Sequence, residues 1–262
     1  MTSAPPTEKR ALAGVECHCC GMLCMPSDIP DYRQCGGCRS WRSTQAAAPV
    51  ELYTDDYWTH ARGHSTLEEQ WRNLTLPMHV DEPFVTAWVR RAVAEKPPGA
   101  RVLEIGCSPG AFLLTMAVRG YTVHGQEAAA GVCRDIAALA GLPSESFTAG
   151  LFPAASPPGS FDMIAAFDVI EHAPDPAEWL AAALDKLNDG GVLLLQTPVF
   201  DPDDPSELNE DSLRMWHPEE HVYVFTPKGI ERLLRRCGHS GVYTSERLAP
   251  GHDLIVVRRS DA

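Results

Sequence analysis

Positive charge is scarce in this sequence. The 262 residues include 22 Lys and Arg against 35 Asp and Glu, a formal net charge of −13, and no basic stripe gathers the cations. Nucleic-acid binding takes most of its affinity from clustered Lys and Arg on phosphates, so no nucleic-acid partner is expected. Also missing are an apolar run of about 18 residues and a charged-then-apolar leader. The chain is therefore expected neither to span a membrane nor to be exported, which leaves the cytoplasm as its place of action. There is no H-E-x-x-H pattern for a catalytic metal and no G-x-G-x-x-G loop for a dinucleotide pyrophosphate. The length suits one α/β core with a small appendage.

What the chain does have is VLEIGCSPGAF at residues 102–112. Val102, Leu103 and Ile105 read as a buried parallel strand, Gly106 and Gly110 let the backbone turn sharply beneath a ligand, and an apolar helix restarts at Ala111 and stops near Gly120. A carboxylate about 20 residues past such a loop stands where a doubly wound sheet offers an acceptor to a ribose diol, and Glu127 fills that place. The glycines are spaced G-x-x-x-G, which suits a nucleoside ligand without phosphates. Two further strands follow. FDMIAAF ends in Asp168-Val169-Ile170-Glu171-His172, and Gly190-Gly191 leads into VLLLQTP.

Together E-x-G-x-x-x-G, FDMIAAFDVIEH and GGVLLLQTP resemble the signatures of class I S-adenosylmethionine-dependent methyltransferases, from about residue 52 to the C-terminus. The resemblance implies a Rossmann-like, doubly wound α/β fold and S-adenosylmethionine as cofactor. It places Glu104, Gly106 and Gly110 around the cofactor, with Cys107 and Phe167 beside them and Glu127 on the ribose hydroxyls. Ser108 stands where that family often has another glycine.

Six of the nine cysteines crowd the N-terminus. Cys17-x2-Cys20 and Cys35-x2-Cys38 are two knuckles across a hairpin-sized interval, and each can aim two thiolates at one ion, giving a tetrahedral S4 site that favours structural zinc. Either Cys19 or Cys24 can substitute for Cys17 or Cys20. The segment has too few apolar side chains to fold unaided, so metal binding would supply its folding free energy. The alternative is a metal-free group of reduced thiols.

These readings divide the chain into a zinc ribbon and linker at 1–48, a helical lid at 49–96, and a core at 97–262 with an insertion at 199–221. Ribbon, lid and core in that order resemble small-molecule methyltransferases, including deoxysugar C-methyltransferases and ubiquinone-type O-methyltransferases. The lid offers Tyr53, Tyr57, Trp58, His60, His64 and Trp71, each of which could equally be packing. Chemistry should gather at the carboxyl ends of the central strands, where Asp168, Glu171 and His172 project. His221, in the "p.EH" string resembling the family's acceptor-side segment, is the first choice of general base, with His172 supporting or orienting. The bland alternative has Glu171 and His172 facing solvent. His217 and His221 could suggest a metal pair, but Pro218 spoils helical H-x3-H spacing.

The expected activity is methylation of a small-molecule acceptor at oxygen or carbon in a biosynthetic, secondary-metabolite pathway, by a monomer or homodimer. Two alternatives stand beside it: a zinc-ribbon RNA methyltransferase, and a non-catalytic binding module on a methyltransferase fold.

Overall fold

The structure is a computed structural model that describes residues 14–46, 53–54, 57, 83–204, 206–213, 216–239 and 243–259. Trp58, His60, His64 and Trp71 lie outside the described residues.

The large sheet is assembled from β5 (Arg101–Ile105), β6 (Thr122–Glu127), β7 (Phe147–Ala149), β8 (Phe161–Phe167), β9 (Leu187–Pro198), β11 (Tyr243–Ala249) and β12 (His252–Arg258), in the order β11-β12-β9-β8-β5-β6-β7. The five strands from β5 to β9 are parallel, and β12 runs antiparallel between β9 and β11. After β5 the chain winds outward through β6 and β7, then crosses back to place β8 on β5's other side. That reversal opens a crevice at the carboxyl ends of β5 and β8.

Alternation along the strands sorts the core into two layers. On one face Leu103, Ile105, Ile164, Ala166, Leu193, Leu195, Ile255 and Val257 pack with Trp179 and Leu180 of α4 (Pro176–Asp185) and Ile230 and Leu233 of α6 (Pro227–Arg236). On the other Val102, Met163, Ala165, Val192, Leu194, Leu254 and Val256 meet α1 (Pro83–Glu95), α2 (Ala111–Val118) and α3 (Ala130–Ala140). Side-chain caps start two of these helices: Asp175 accepts from the Ala177 and Glu178 amides, and Thr226 accepts from Gly229, each ahead of a proline at the first helical position. β9 starts earlier than VLLLQTP implies, at Leu187, and runs through the glycine pair.

A second sheet holds β1 (Val15–Glu16), β2 (Leu23–Pro26), β3 (Tyr32–Cys35) and β4 (Trp41–Ser43), all antiparallel in sequence order. Its last strand is β10 (Tyr223–Val224), which pairs antiparallel with β4 and comes from the far end of the chain. Strand pairing thus crosses the boundary between ribbon and core. Among its described residues the insertion at 199–221 carries the short helix α5 (Glu210–Leu213) and the buried Trp216, which packs among Tyr32, Trp41, Phe200 and Val224.

Candidate functional site

The turn after β5 is shaped by its glycines. Gly106 has φ 71° and Gly110 φ 95°, conformations that glycine adopts without a Cβ penalty. A Cβ on Gly106 would lie 2.6 Å from Cγ2 of Val169, so the turn presses against the segment that leaves β8. The Gly106 and Cys107 amides both donate to the Gln126 carbonyl, at 2.8 and 3.1 Å, which hangs the turn on the end of β6. Glu127 completes it: one carboxylate oxygen accepts from Ala128 at 2.7 Å, the other from Ser108 at 3.3 Å.

Glu104 lies beneath the turn, and its carboxylate accepts from the Leu113 amide at 3.1 Å, serving the N-terminus of a helix that has no side-chain cap of its own. Burial pushes the Glu104 carboxyl well above its ordinary range, and the nearby Glu127 charge adds to this. Burial, then these two carboxylates, raise the Cys107 thiol as well. Among the described residues Glu104 has no ion-pair partner, so the cradle is electrostatically suited to a cationic ligand. Ser108 Oγ is buried with no hydrogen-bond partner among the described residues, a hydroxyl left for something in the cradle. Both features fit S-adenosylmethionine, which has a sulfonium and an ammonium group together with ribose hydroxyls.

At the end of β8, Phe167 stacks flat on Trp88 of α1, with centroids 3.9 Å apart and planes within 3°. Trp88 Nε1 donates to Gln196 Oε1 at 2.8 Å, which fixes the amide's orientation. Gln196 Nε2 then donates to both oxygens of Asp168, at 3.2 and 3.0 Å. Asp168 itself sits at φ 54°, held in this left-handed conformation where the strand breaks. Neither Trp88 nor Gln196 was singled out in sequence; a glutamine within an apolar central strand was the available signal.

Residues Ile170–His172 make one 3-10 turn. Glu171 is fully buried, which overturns its solvent-facing alternative. Its Oε2 accepts from Thr197 Oγ1 at 2.9 Å, while Oε1 has no partner among the described residues. Burial, then the Asp168 charge, pushes its carboxyl well above the ordinary range.

His172 Nδ1 is 3.0 Å from the Glu220 carbonyl and 2.7 Å from the Tyr53 hydroxyl. A carbonyl only accepts, so in the Glu220 contact Nδ1 is the donor. The His172 and His221 rings are 4.8 Å apart at 70°, and the His217 ring is 5.6 Å from His221. Tyr57 packs edge-on against Tyr53 and donates to Glu220 Oε2 at 3.0 Å. The structure thus brings together His172, His221, Tyr53 and Tyr57, and Glu171, His172 and His221 each place a donor atom within 4.8 Å of the others.

The thiols form a separate cluster. Sγ atoms of Cys17, Cys20, Cys35 and Cys38 lie within 4.8 Å of one another, with Cys17 to Cys38 at 3.6 Å and Cys20 to Cys35 at 3.4 Å. Tetrahedral zinc with bonds of about 2.3 Å requires sulfurs about 3.8 Å apart, so the donor set fits. The Gly37 amide donates to Cys35 Sγ at 3.3 Å. Hydrogen bonds from neighbouring thiols hold the Cys35 thiol far below its usual range. Cys24 faces Cys35 across the strand pair, and Cys19 is buried beside Cys17 and Cys38.

A family model described as "Methyltransferase domain" matches residues 79–243. The chain is similar to the ubiquinone biosynthesis O-methyltransferase of Dinoroseobacter shibae, at 31% identity over 182 residues covering 62% of this chain and 73% of that one. It is similar to the protein so named in Aromatoleum aromaticum at 32% over 201 residues, 72% and 84% of the two chains. Among solved structures it resembles the 1,6-didemethyltoxoflavin-N1-methyltransferase of Burkholderia thailandensis, with bound S-adenosylhomocysteine (TM-score 0.55, 18% identity, 85% and 96% covered). The magnesium protoporphyrin IX methyltransferase of Synechocystis has the same fold (TM-score 0.53, 17% identity, 79% and 100% covered).

The buried Glu171 gives a pH test. A carboxyl raised in the folded state costs nothing below its unfolded pKa and costs progressively more stability as pH rises above it. Glu171→Gln mimics the neutral form, so its stability gain over the parent should be near zero at pH about 4 and grow by up to about 1.4 kcal/mol per pH unit above that. Urea unfolding from pH 4 to 8 measures the gap; a gap independent of pH would mean Glu171 is not the buried acid described.

Proposed function

We propose that this chain, which belongs to the methyltransferase-domain family, methylates a small-molecule acceptor at oxygen or carbon, with His221 as acceptor-side base and His172 as its support. It is a class I S-adenosylmethionine-dependent methyltransferase. The observation that carries the acceptor-side reading is a juxtaposition: the glycine turn touches Val169, and three residues later His172 meets His221.

The cofactor, when bound, supplies a methyl group made electrophilic by its sulfonium. Glu104, Gly106, Cys107, Gly110, Glu127 and Phe167 would hold it, Glu127 by the ribose hydroxyls and Phe167 as the apolar wall stiffened by Trp88. Asp168 borders the acceptor with its carboxylate oriented by Gln196. His221 takes the acceptor's proton and His172 Nε2 stabilises the resulting charge, while Tyr53 and Tyr57 help exclude water. The relatives' names, from ubiquinone biosynthesis to a toxoflavin precursor and a porphyrin, support an acceptor from biosynthesis, here of a secondary metabolite. The acidic balance supports a small molecule over RNA. No described helix is long and apolar enough to cross a membrane; we read the enzyme as cytoplasmic.

The residues from 1 to 48 we read as a ribbon around one zinc ion held by Cys17, Cys20, Cys35 and Cys38, with 49–96 as the lid segment, its last helix α1 laid on the sheet, and 97–262 as the core. Four thiolates leave no open position for a water, so the metal's role is structural.

Three outcomes are expected. Glu127→Ala should weaken S-adenosylmethionine binding at least about tenfold by isothermal titration, through loss of charge-assisted hydrogen bonds; an unchanged affinity would remove Glu127 from the cofactor site. Elemental analysis of reduced protein should find about one zinc per chain, lost in Cys35→Ser; substoichiometric metal favours the free-thiol cluster. With an acceptor found by screening biosynthetic intermediates for S-adenosylhomocysteine release, His221→Ala should cut turnover by about 10² to 10⁴ and leave cofactor affinity within a few fold, with His172→Ala less affected. Near-normal turnover of His221→Ala from pH 6 to 9 would reassign proton removal, starting from Asp168.

A further inference from the structure

The turn that presents His221 has little local reason for its shape. His217 is held at φ 36°, an uncommon backbone for a non-glycine residue, and the turn closes on itself through the Glu220 and His221 amides, which donate to the His217 carbonyl. Several of its other carbonyls are claimed from outside. Tyr32 Oη of β3 donates to the Trp216 carbonyl and lies 3.4 Å from that of His221. Ser43 at the end of β4 donates through Oγ to the Pro218 carbonyl at 2.5 Å and through its amide to the Val222 carbonyl at 2.9 Å. The same strand then pairs with β10, Arg42 opposite Tyr223 and Trp41 opposite Val224. Ribbon donors therefore reach four carbonyls between 216 and 222, and Trp41 and Tyr32 pack edge-on against Trp216 at 4.8 and 5.2 Å.

The other side of the ribbon is tied to the thiol knuckle. Thr226 Oγ1 donates to the Cys38 carbonyl at 2.6 Å, and the Thr226 amide donates to Ser40 Oγ at 3.2 Å. Ser40 fits there because Gly229 has no side chain: a Cβ would stand 2.0 Å from its hydroxyl. One knuckle cysteine's backbone is thus bonded to the cap of α6, and the strand leaving that knuckle braces the histidine turn. Besides the cysteines, the buried apolar side chains among the ribbon's described residues are Tyr32 and Trp41, both packed toward Trp216, so the knuckles themselves rely on what the thiols hold.

We propose that the ribbon is a positioning module for the acceptor-side histidines: metal bound by its four thiolates sets the placement of His221 against His172, with Tyr32 and Ser43 as the positioning residues, while the cofactor cradle stands independent of it. This rests on the zinc reading. The cradle's hydrogen bonds come from β5, β6 and the start of α2, and its contact with Val169 is to the segment that leaves β8 and not to the ribbon.

Hydrogen exchange on the full chain, before and after zinc removal by a chelator, tests the coupling, with elemental analysis confirming metal content. Amide protection across 216–226 should fall at least tenfold on metal loss, while peptides spanning 101–115 keep their protection and S-adenosylmethionine affinity stays within about threefold. Unchanged protection at 216–226 after verified zinc loss overturns the proposal and leaves the zinc site standing. A protein isolated without metal yet protected in both regions overturns the zinc reading as well. Loss of S-adenosylmethionine binding on chelation overturns the claimed independence of the cradle.

Tyr32→Phe and Ser43→Ala separate bracing from folding. Each should retain one zinc and normal cofactor affinity while shifting the ring resonances and titration of His221 and His172 by NMR. Ser43→Thr, which keeps the hydroxyl, should restore them. Ring signals identical to the parent in both variants would show that the turn holds itself.

Discussion

The chemistry of this chain depends on the place where β5 and β8 lie side by side and their following loops diverge. Parallel strands end together, so two loops leave the sheet edge as neighbours. Gly106 is without a Cβ where Val169 passes, and that contact joins the cofactor turn to the segment with Asp168, Glu171 and His172. A bulkier residue at 106 would push apart the two loops that methyl transfer needs in register, since displacements of about 1 Å already cost rate.

Around that contact the protein buries carboxyl groups in poor solvent. Glu104 and Glu171 are both buried, each raised chiefly by burial and each further burdened by a neighbouring carboxylate, Glu127 and Asp168 respectively. Such pairs are costly in an empty fold and become favourable beside a cation. The arrangement suits a cofactor that arrives positive at sulfur. The acidic composition visible in the sequence has a local counterpart here, where it acts on a ligand.

Short-range patterns carried much of this into the sequence. The G-x-x-x-G turn, the buried runs of β5, β8 and β9 and the two C-x2-C knuckles are each encoded within about a dozen residues, and each is found where its pattern implies. What escaped was non-local. The order from Trp88 through Gln196 to Asp168 joins residues from α1, β9 and the end of β8, and no spacing announces it. The burial of Glu171 follows from the strand ends above it and cannot be separated, in sequence, from a solvated helix start. β10 is two residues long, too short for any periodicity, and its partner β4 is far upstream.

That pairing also imposes an order of assembly. Trp41 to Ser43 leave the ribosome well before Tyr223 and Val224, which close the sheet they begin. Until then β4 is an open edge, and the turn with His217 and His221 does not yet exist to be braced. The knuckles are synthesised first, but the ribbon can reach its final form only after the central strands β5 to β9 have been made, because the strand that completes it follows them in the chain. A long contact of this kind closes late and slowly, at the cost of loop entropy. The last edge of the small sheet is therefore closed by chain that is made after the whole parallel sheet, so the ribbon's final docking is coupled to the folding of the core.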